Sequence, residues 1–162
     1  EWKNSSGTTL VSIGPSGGQK FIGSTNNIAT INRILYGATT DADTAVELTF
    51  DGAAGSGSTN RISVPNNTAF SIILNICVKQ SGSSNSKQML RQFVIVNNAG
   101  TTSIEGSVTT LGSDVGSAAL NTVSTTITAN NTDDCIKVEV NGVAATNLRY
   151  TCYIVSCETL YS

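Results

Sequence analysis

With no histidine and few charged side chains, this chain is poorly supplied for acid–base chemistry near neutral pH, and its carboxylates are the first groups to consider. The candidates are Glu1, Asp41, Asp43, Glu47, Asp51, Glu105, Asp114, Asp133, Asp134, Glu139 and Glu158. A glycosidase needs two such groups facing one sugar ring at roughly 5–10 Å. No spacing here singles out a pair, and most fall in turns or on strand positions that alternate with apolar residues, where solvated surface is expected. Asp41-Ala-Asp43 and Asp133-Asp134 offer paired oxygens to a hard cation such as calcium, but neither matches a calcium-loop motif. Serine is abundant, yet no imidazole is present to activate it. Gly14-Pro-Ser-Gly-Gly18 lacks the Gly-Lys-Ser/Thr ending of a phosphate loop and reads as a turn. We therefore expect no catalytic residue, no metal site and no cofactor, and a chain that binds or builds.

The four cysteines, Cys77, Cys135, Cys152 and Cys157, show no CxxC or Cys/His spacing for zinc. Each lies in or beside an apolar alternation, so reduced, mostly buried thiols are expected. The alternative is a staple such as Cys77–Cys135. Cys152 and Cys157 are an odd number of residues apart, so one strand would point them to opposite faces. Aromatic rings are the better lead for recognition, since a sugar presents an apolar face and polar edges. Trp2, Tyr36, Tyr150, Tyr153 and Tyr161 are the candidates, and Tyr36, Tyr150 and Tyr153 are assigned to glycan binding. Packing in a core or an interface is the competing role for each ring.

Strands must position these groups. In Phe70-Ser-Ile-Ile-Leu-Asn-Ile-Cys-Val78, Phe70, Ile72, Leu74, Ile76 and Val78 recur at the period that returns side chains to one face. Similar segments predict strands over Ala29–Tyr36, Ala45–Phe50, Arg61–Val64, Phe70–Gln80, Lys87–Val96, Thr102–Thr110, Asn121–Ala129, Cys135–Asn141 and Asn147–Cys157. Gly, Asn and Asp between them supply turns, with Asn141-Gly142 the cleanest hairpin candidate. Ser113–Leu120 has room for a short helical turn, which Gly112 and Gly116 weaken. The fold class is all-β: an antiparallel, jelly-roll-like β-sandwich head over residues 28–162.

The alternation also sorts faces. Val46, Leu48 and Phe50 oppose Glu47, Thr49 and Asp51, and Ile136, Val138 and Val140 oppose Lys137 and Glu139, the pattern of strands wet on one side. Ile72-Ile73 with Cys77, and Arg91-Gln-Phe-Val-Ile-Val96, are apolar on both faces. Such strands are either central or covered by a partner chain. Residues 1–27 carry Trp2, Leu10, Val11, Ile13, Phe21 and Ile22 as isolated apolar points among polar and Gly-rich stretches. They are expected to form a linker or a short fibrous β stem, with Trp2, Leu10, Ile13, Phe21 and Ile22 as trimer contacts.

The nine Lys and Arg are scattered singly and the formal net charge is −2, which argues against nucleic acid as a partner. No apolar run approaches the ~20 residues of a membrane helix, so no membrane insertion is expected. Glu1 in place of Met suggests a fragment or a processed product.

Trp2-Lys-Asn-Ser-Ser-Gly-Thr-Thr-Leu-Val-Ser-Ile13 is similar to stem segments of bacteriophage tail fibres and related trimeric fibre proteins. Ile31-Asn-Arg-Ile-Leu-Tyr-Gly-Ala-Thr-Thr40, Ala45-Val-Glu-Leu-Thr-Phe-Asp-Gly52 and Asn60-Arg-Ile-Ser-Val-Pro-Asn-Asn-Thr68 resemble a β-rich domain at the ends of phage fibres and tailspikes. The resemblance implies a homotrimeric head on a virion tail fibre, synthesised in the host cytoplasm, that attaches to a host cell-surface glycan or protein. It assigns no site residue, because such heads bind through variable loops. Two other functions suit such a sandwich: a capsid decoration module, and a carbohydrate-binding module of a larger enzyme.

Overall fold

Where the sequence alternates at period two, the chain is extended. A computed structural model describes residues 2–3, 9–13, 19–22 and 28–160, with side chains from residue 29 onward. The strands are β1 (Trp2–Lys3), β2 (Thr9–Ile13), β3 (Gln19–Ile22), β4 (Ile28–Thr39), β5 (Ala45–Glu47), β6 (Ile62–Ser63) and β7 (Thr68–Gln80). They continue as β8 (Ser86–Asn98), β9 (Thr101–Thr110), β10 (Val115–Gly116), β11 (Thr125–Asn130), β12 (Cys135–Asn141) and β13 (Leu148–Leu160). A single 3₁₀ turn, Ala118–Leu120, is the helical element among the described residues. It falls where a helical turn was expected, with β10 just before it.

Two sheets form a sandwich. The large sheet has nine strands in the order β1-β2-β3-β4-β13-β7-β8, with β9 and β10 sharing the far edge of β8. The small sheet sets β11 beside β12, and β12 in turn pairs with β5 and β6. All these pairs are antiparallel. The consecutive β7–β8–β9 meander stays within one sheet, so the wiring is that of an antiparallel sandwich and lends the jelly-roll expectation no support. Residues 1–27 contribute β1–β3, which continue the large sheet through Phe21 opposite Thr30. The expected contacts of Trp2, Leu10, Ile13, Phe21 and Ile22 concern side chains outside the described residues.

The core lies between the sheets. Phe70, Ile72, Leu74, Ile76 and Val78 of β7 meet Leu48, Ile62, Val138 and Val140 of the opposite layer, all buried. Burying each such side chain contributes about 1.5–3 kcal/mol. Leu120 and Val123 plug the open side. Gly37 is required where the layers cross: a Cβ there would lie 2.7 Å from Leu48 Cδ2.

Four expectations are corrected. Asn141-Gly142 is no hairpin, since β12 does not pair with β13 and neither residue has the positive φ of a tight hairpin turn. The Asn141 side chain instead accepts from Ser124 and donates to the Thr122 carbonyl, and Gly142 lies against the Ala42 carbonyl, where a Cβ would come within 2.0 Å. The strand expected from Asn121 begins at Thr125, because residues 121–124 turn down to bury Val123. Thr49 is fully buried rather than wet, its hydroxyl oxygen lying 2.8 Å from the Ala53 carbonyl and 3.0 Å from Asp51 Oδ1. Only Cys135 and Cys152 are buried; Cys77 and Cys157 are exposed, and all four thiols are free.

Candidate functional site

Register determines which residues share the outer face of the large sheet. Directly opposed residues point the same way. Tyr36 stands opposite Thr151, which stands opposite Cys77 and then Gln88. The next rows are Ile34–Tyr153–Asn75–Leu90, Asn32–Val155–Ile73–Gln92 and Thr30–Cys157–Ser71–Val94. These four rows hold no charged side chain. They hold Tyr36, Ile73, Val94 and Tyr153, each about 40% exposed. Large aliphatic groups are normally turned inward from a sheet this well filled, so an uncharged face with open apolar side chains stands out from an ordinary solvated one.

Charge returns only at the margins. Arg149 opposes Lys79 just beyond the first row, and Glu105 opposes Val94 at the far side.

At the Arg149 end the face runs into an open cleft of about 390 Å³ lined by Tyr36, Asp51, Arg149 and Thr151, with the Tyr150 backbone strand beneath. Tyr36 is fixed through its main chain, donating to Thr49 O at 2.8 Å and accepting from Thr49 N at 3.0 Å. Asp51 is fixed through its side chain. Its Oδ1 accepts from Ala53 N at 3.0 Å, Asn60 Nδ2 at 2.9 Å and Thr49 Oγ1 at 3.0 Å. These donors, the Ala53 amide first, hold its carboxyl below the usual carboxylate range. Asp51 Oδ2 takes no hydrogen bond among the described residues. Arg149, exposed in the same cleft, enters none of their ion pairs.

The three tyrosines assigned to glycan binding separate. Tyr36 and Tyr153 lie diagonally on neighbouring strands of the outer face, within the reach of aromatic rings. Tyr150 points the other way and is 1% exposed, its hydroxyl 2.9 Å from Thr39 Oγ1 and donating to Asn141 O at 3.3 Å. Burial pushes its phenol above the ordinary value. The alternation of Leu148, Tyr150, Cys152 and Ile154 carries the signal for this inward face. The pairing of Asp51 with Arg149 escaped the sequence reading because nothing in their spacing joins them; the β4–β13 register sets Arg149 opposite Ala38, and the bridge from Tyr36 to Thr49 brings Asp51 to the same end.

Most other ionisable groups are occupied. Arg61 holds Glu47 at 2.7 Å and Asp133 at 2.9 Å, and Arg91 holds Asp114 at 2.7 Å. Asp134 Oδ1 accepts from Thr102 Oγ1 at 2.6 Å. Thus both aspartates of Asp133-Asp134 have oxygens committed to protein donors. Among the described residues no group of three or more potential metal ligands is assembled, and no helix is long and apolar enough to cross a membrane. In comparison with known proteins, no family model and no curated protein matches the chain.

Proposed function

We propose that this chain is a non-catalytic attachment module, the head of a virion tail fibre, which assembles as a homotrimer and binds a host cell-surface glycan or protein. The observation that carries the reading is the outer face of the large sheet, four rows without a charge and with Tyr36, Ile73, Val94 and Tyr153 open. The rows around Ile73, Val94 and Tyr153 favour coverage by other copies of the chain over permanent exposure to water, while the Tyr36 row at the Arg149 end stays open to a receptor. Its margins are complementary in sign, with Lys79 at one end and Glu105 at the other, which suits contact between copies. Three copies on one stem would convert weak single contacts into firm attachment through effective concentration.

The test combines light scattering on the purified chain at micromolar concentration with binding to cells and to a glycan array. A mass three times that of the chain, together with saturable attachment, is the expected outcome. A monomer that binds neither cells nor glycans would refute the proposal.

A further inference from the structure

We infer that the cleft between Tyr36, Asp51, Arg149 and Thr151 is a carbohydrate subsite for a neutral pyranose bearing two adjacent hydroxyls. Its biological sense rests on the attachment reading; its chemistry rests on the cleft. Tyr36 supplies a flat, half-open ring, against which the C–H face of a sugar packs. Across from it stand a carboxylate and a guanidinium that line the same cavity without forming an ion pair. A carboxylate only accepts hydrogen bonds and a guanidinium only donates them. Two neighbouring hydroxyls satisfy both at once, donating to Asp51 Oδ2 and accepting from Arg149, with the Thr151 hydroxyl available to either.

The site is also built before the ligand arrives. The three donors on Asp51 Oδ1 leave Oδ2 as the open acceptor on an already ordered carboxylate, so little side-chain freedom is lost on binding. A cavity of about 390 Å³ falls within the usual range for small-ligand sites. An acidic sugar gains no advantage over a neutral one, because the pull of Arg149 on its carboxylate is opposed by the ionised Asp51 in the same cleft.

The experiment titrates the full chain with methyl glucoside, methyl galactoside, methyl mannoside and methyl glucuronide, read by saturation-transfer NMR. The variants are Tyr36→Ala, Asp51→Asn and Arg149→Gln. Asp51→Asn keeps the structural Oδ1 acceptor while replacing Oδ2 by a donor, so it should stay folded with a midpoint lowered only by loss of the charge, and Arg149→Gln changes an exposed side chain and should keep the wild-type midpoint. At least one neutral glycoside should bind saturably. Tyr36→Ala and Asp51→Asn should each weaken it by about tenfold or more, and Arg149→Gln by several-fold. No saturable binding of any neutral glycoside, unchanged affinity in folded Tyr36→Ala and Asp51→Asn, or tighter binding of the glucuronide would overturn the inference. Cell attachment separates the two readings. If glycosides do not bind but the chain still attaches to cells, the subsite falls and the attachment module stands. If a neutral glycoside binds as described but no cell or glycan surface is recognised, the subsite stands and the attachment module falls.

Discussion

The two sheets turn very different outer faces to their surroundings. That of the small sheet is charged and already paired: Glu47 and Glu139 oppose each other, but Arg61 holds the first and Lys137 holds the second at 2.9 Å. Thr126 and Thr128 fill the neighbouring positions on β11. The outer face of the large sheet has no charge across four rows and leaves aliphatic side chains and two tyrosines open. One face is finished by water and its own ion pairs. The other has no such pairing, and it is the face that the proposed assembly would cover. The core between them is alike on both sides, so the asymmetry belongs to what each sheet meets outside.

Breaking the finished face should have the largest effect on the chain itself. Arg61→Met leaves Glu47 and Asp133 without their shared cation in a place where Arg61 and Glu47 side chains are each only 10% exposed. Loss of one partner from such a site costs about 3 kcal/mol, and chemical denaturation of the variant should show a loss of that order.

Acid should act next. Arg91 holds the Asp114 carboxyl below its ordinary value, and the Ala53 amide does the same for Asp51. A carboxyl with a depressed folded pKa adds stability above its unfolded pKa, near ~3.9, and loses it as pH falls through the lower folded value. The thermal midpoint should therefore hold above about pH 5 and fall below ~4. Arg91→Gln should flatten part of that fall.

Charging the open face should do the reverse of Arg61→Met. Ile73→Lys sits on an exposed position, so the stability of the single chain should change by less than about 0.5 kcal/mol. Self-association should nonetheless be lost, and the melting midpoint should cease to depend on concentration. The smallest effect is expected for Lys137→Ala, which removes one partly exposed ion pair and should cost at most ~0.5 kcal/mol by denaturant titration, with assembly unchanged.

Much of this contrast was legible in the sequence. The alternation around Ile136, Val138 and Val140 sorted core from surface on β12, and the two-faced strands at Ile73 and Val94, expected to be central or partnered, lie inside the large sheet. β12 runs over Cys135–Asn141 as expected, because the turn residues on either side stop the pairing sharply. What failed depended on distant partners. Asn141-Gly142 carries a local hairpin signal, but its side chain is committed to the 122–124 turn. Thr49 has the right parity for solvent, yet the turn at residues 51–53 folds over it and takes its hydroxyl against Asp51 Oδ1 and the Ala53 carbonyl. Grouping Tyr150 with Tyr153 overlooked their odd separation on one strand. The cleft was illegible, since Asp51 and Arg149 meet only through the fold.

The most direct measurement of the central claim is the alkylation rate of the exposed thiols in the native protein, resolved by mass spectrometry. Cys157 lies in the fourth uncharged row and Cys77 in the first, while Cys135 and Cys152 are buried inside each chain. Burial pushes the Cys152 thiol up to about 12, which keeps it inert in any assembly. If copies of the chain cover the large sheet, Cys157 in the wild type should react about tenfold or more slowly than in Ile73→Lys, with Cys135 and Cys152 silent in both. Equal, rapid alkylation of Cys157 in the two proteins would show that the face stands open to water and contradict the account.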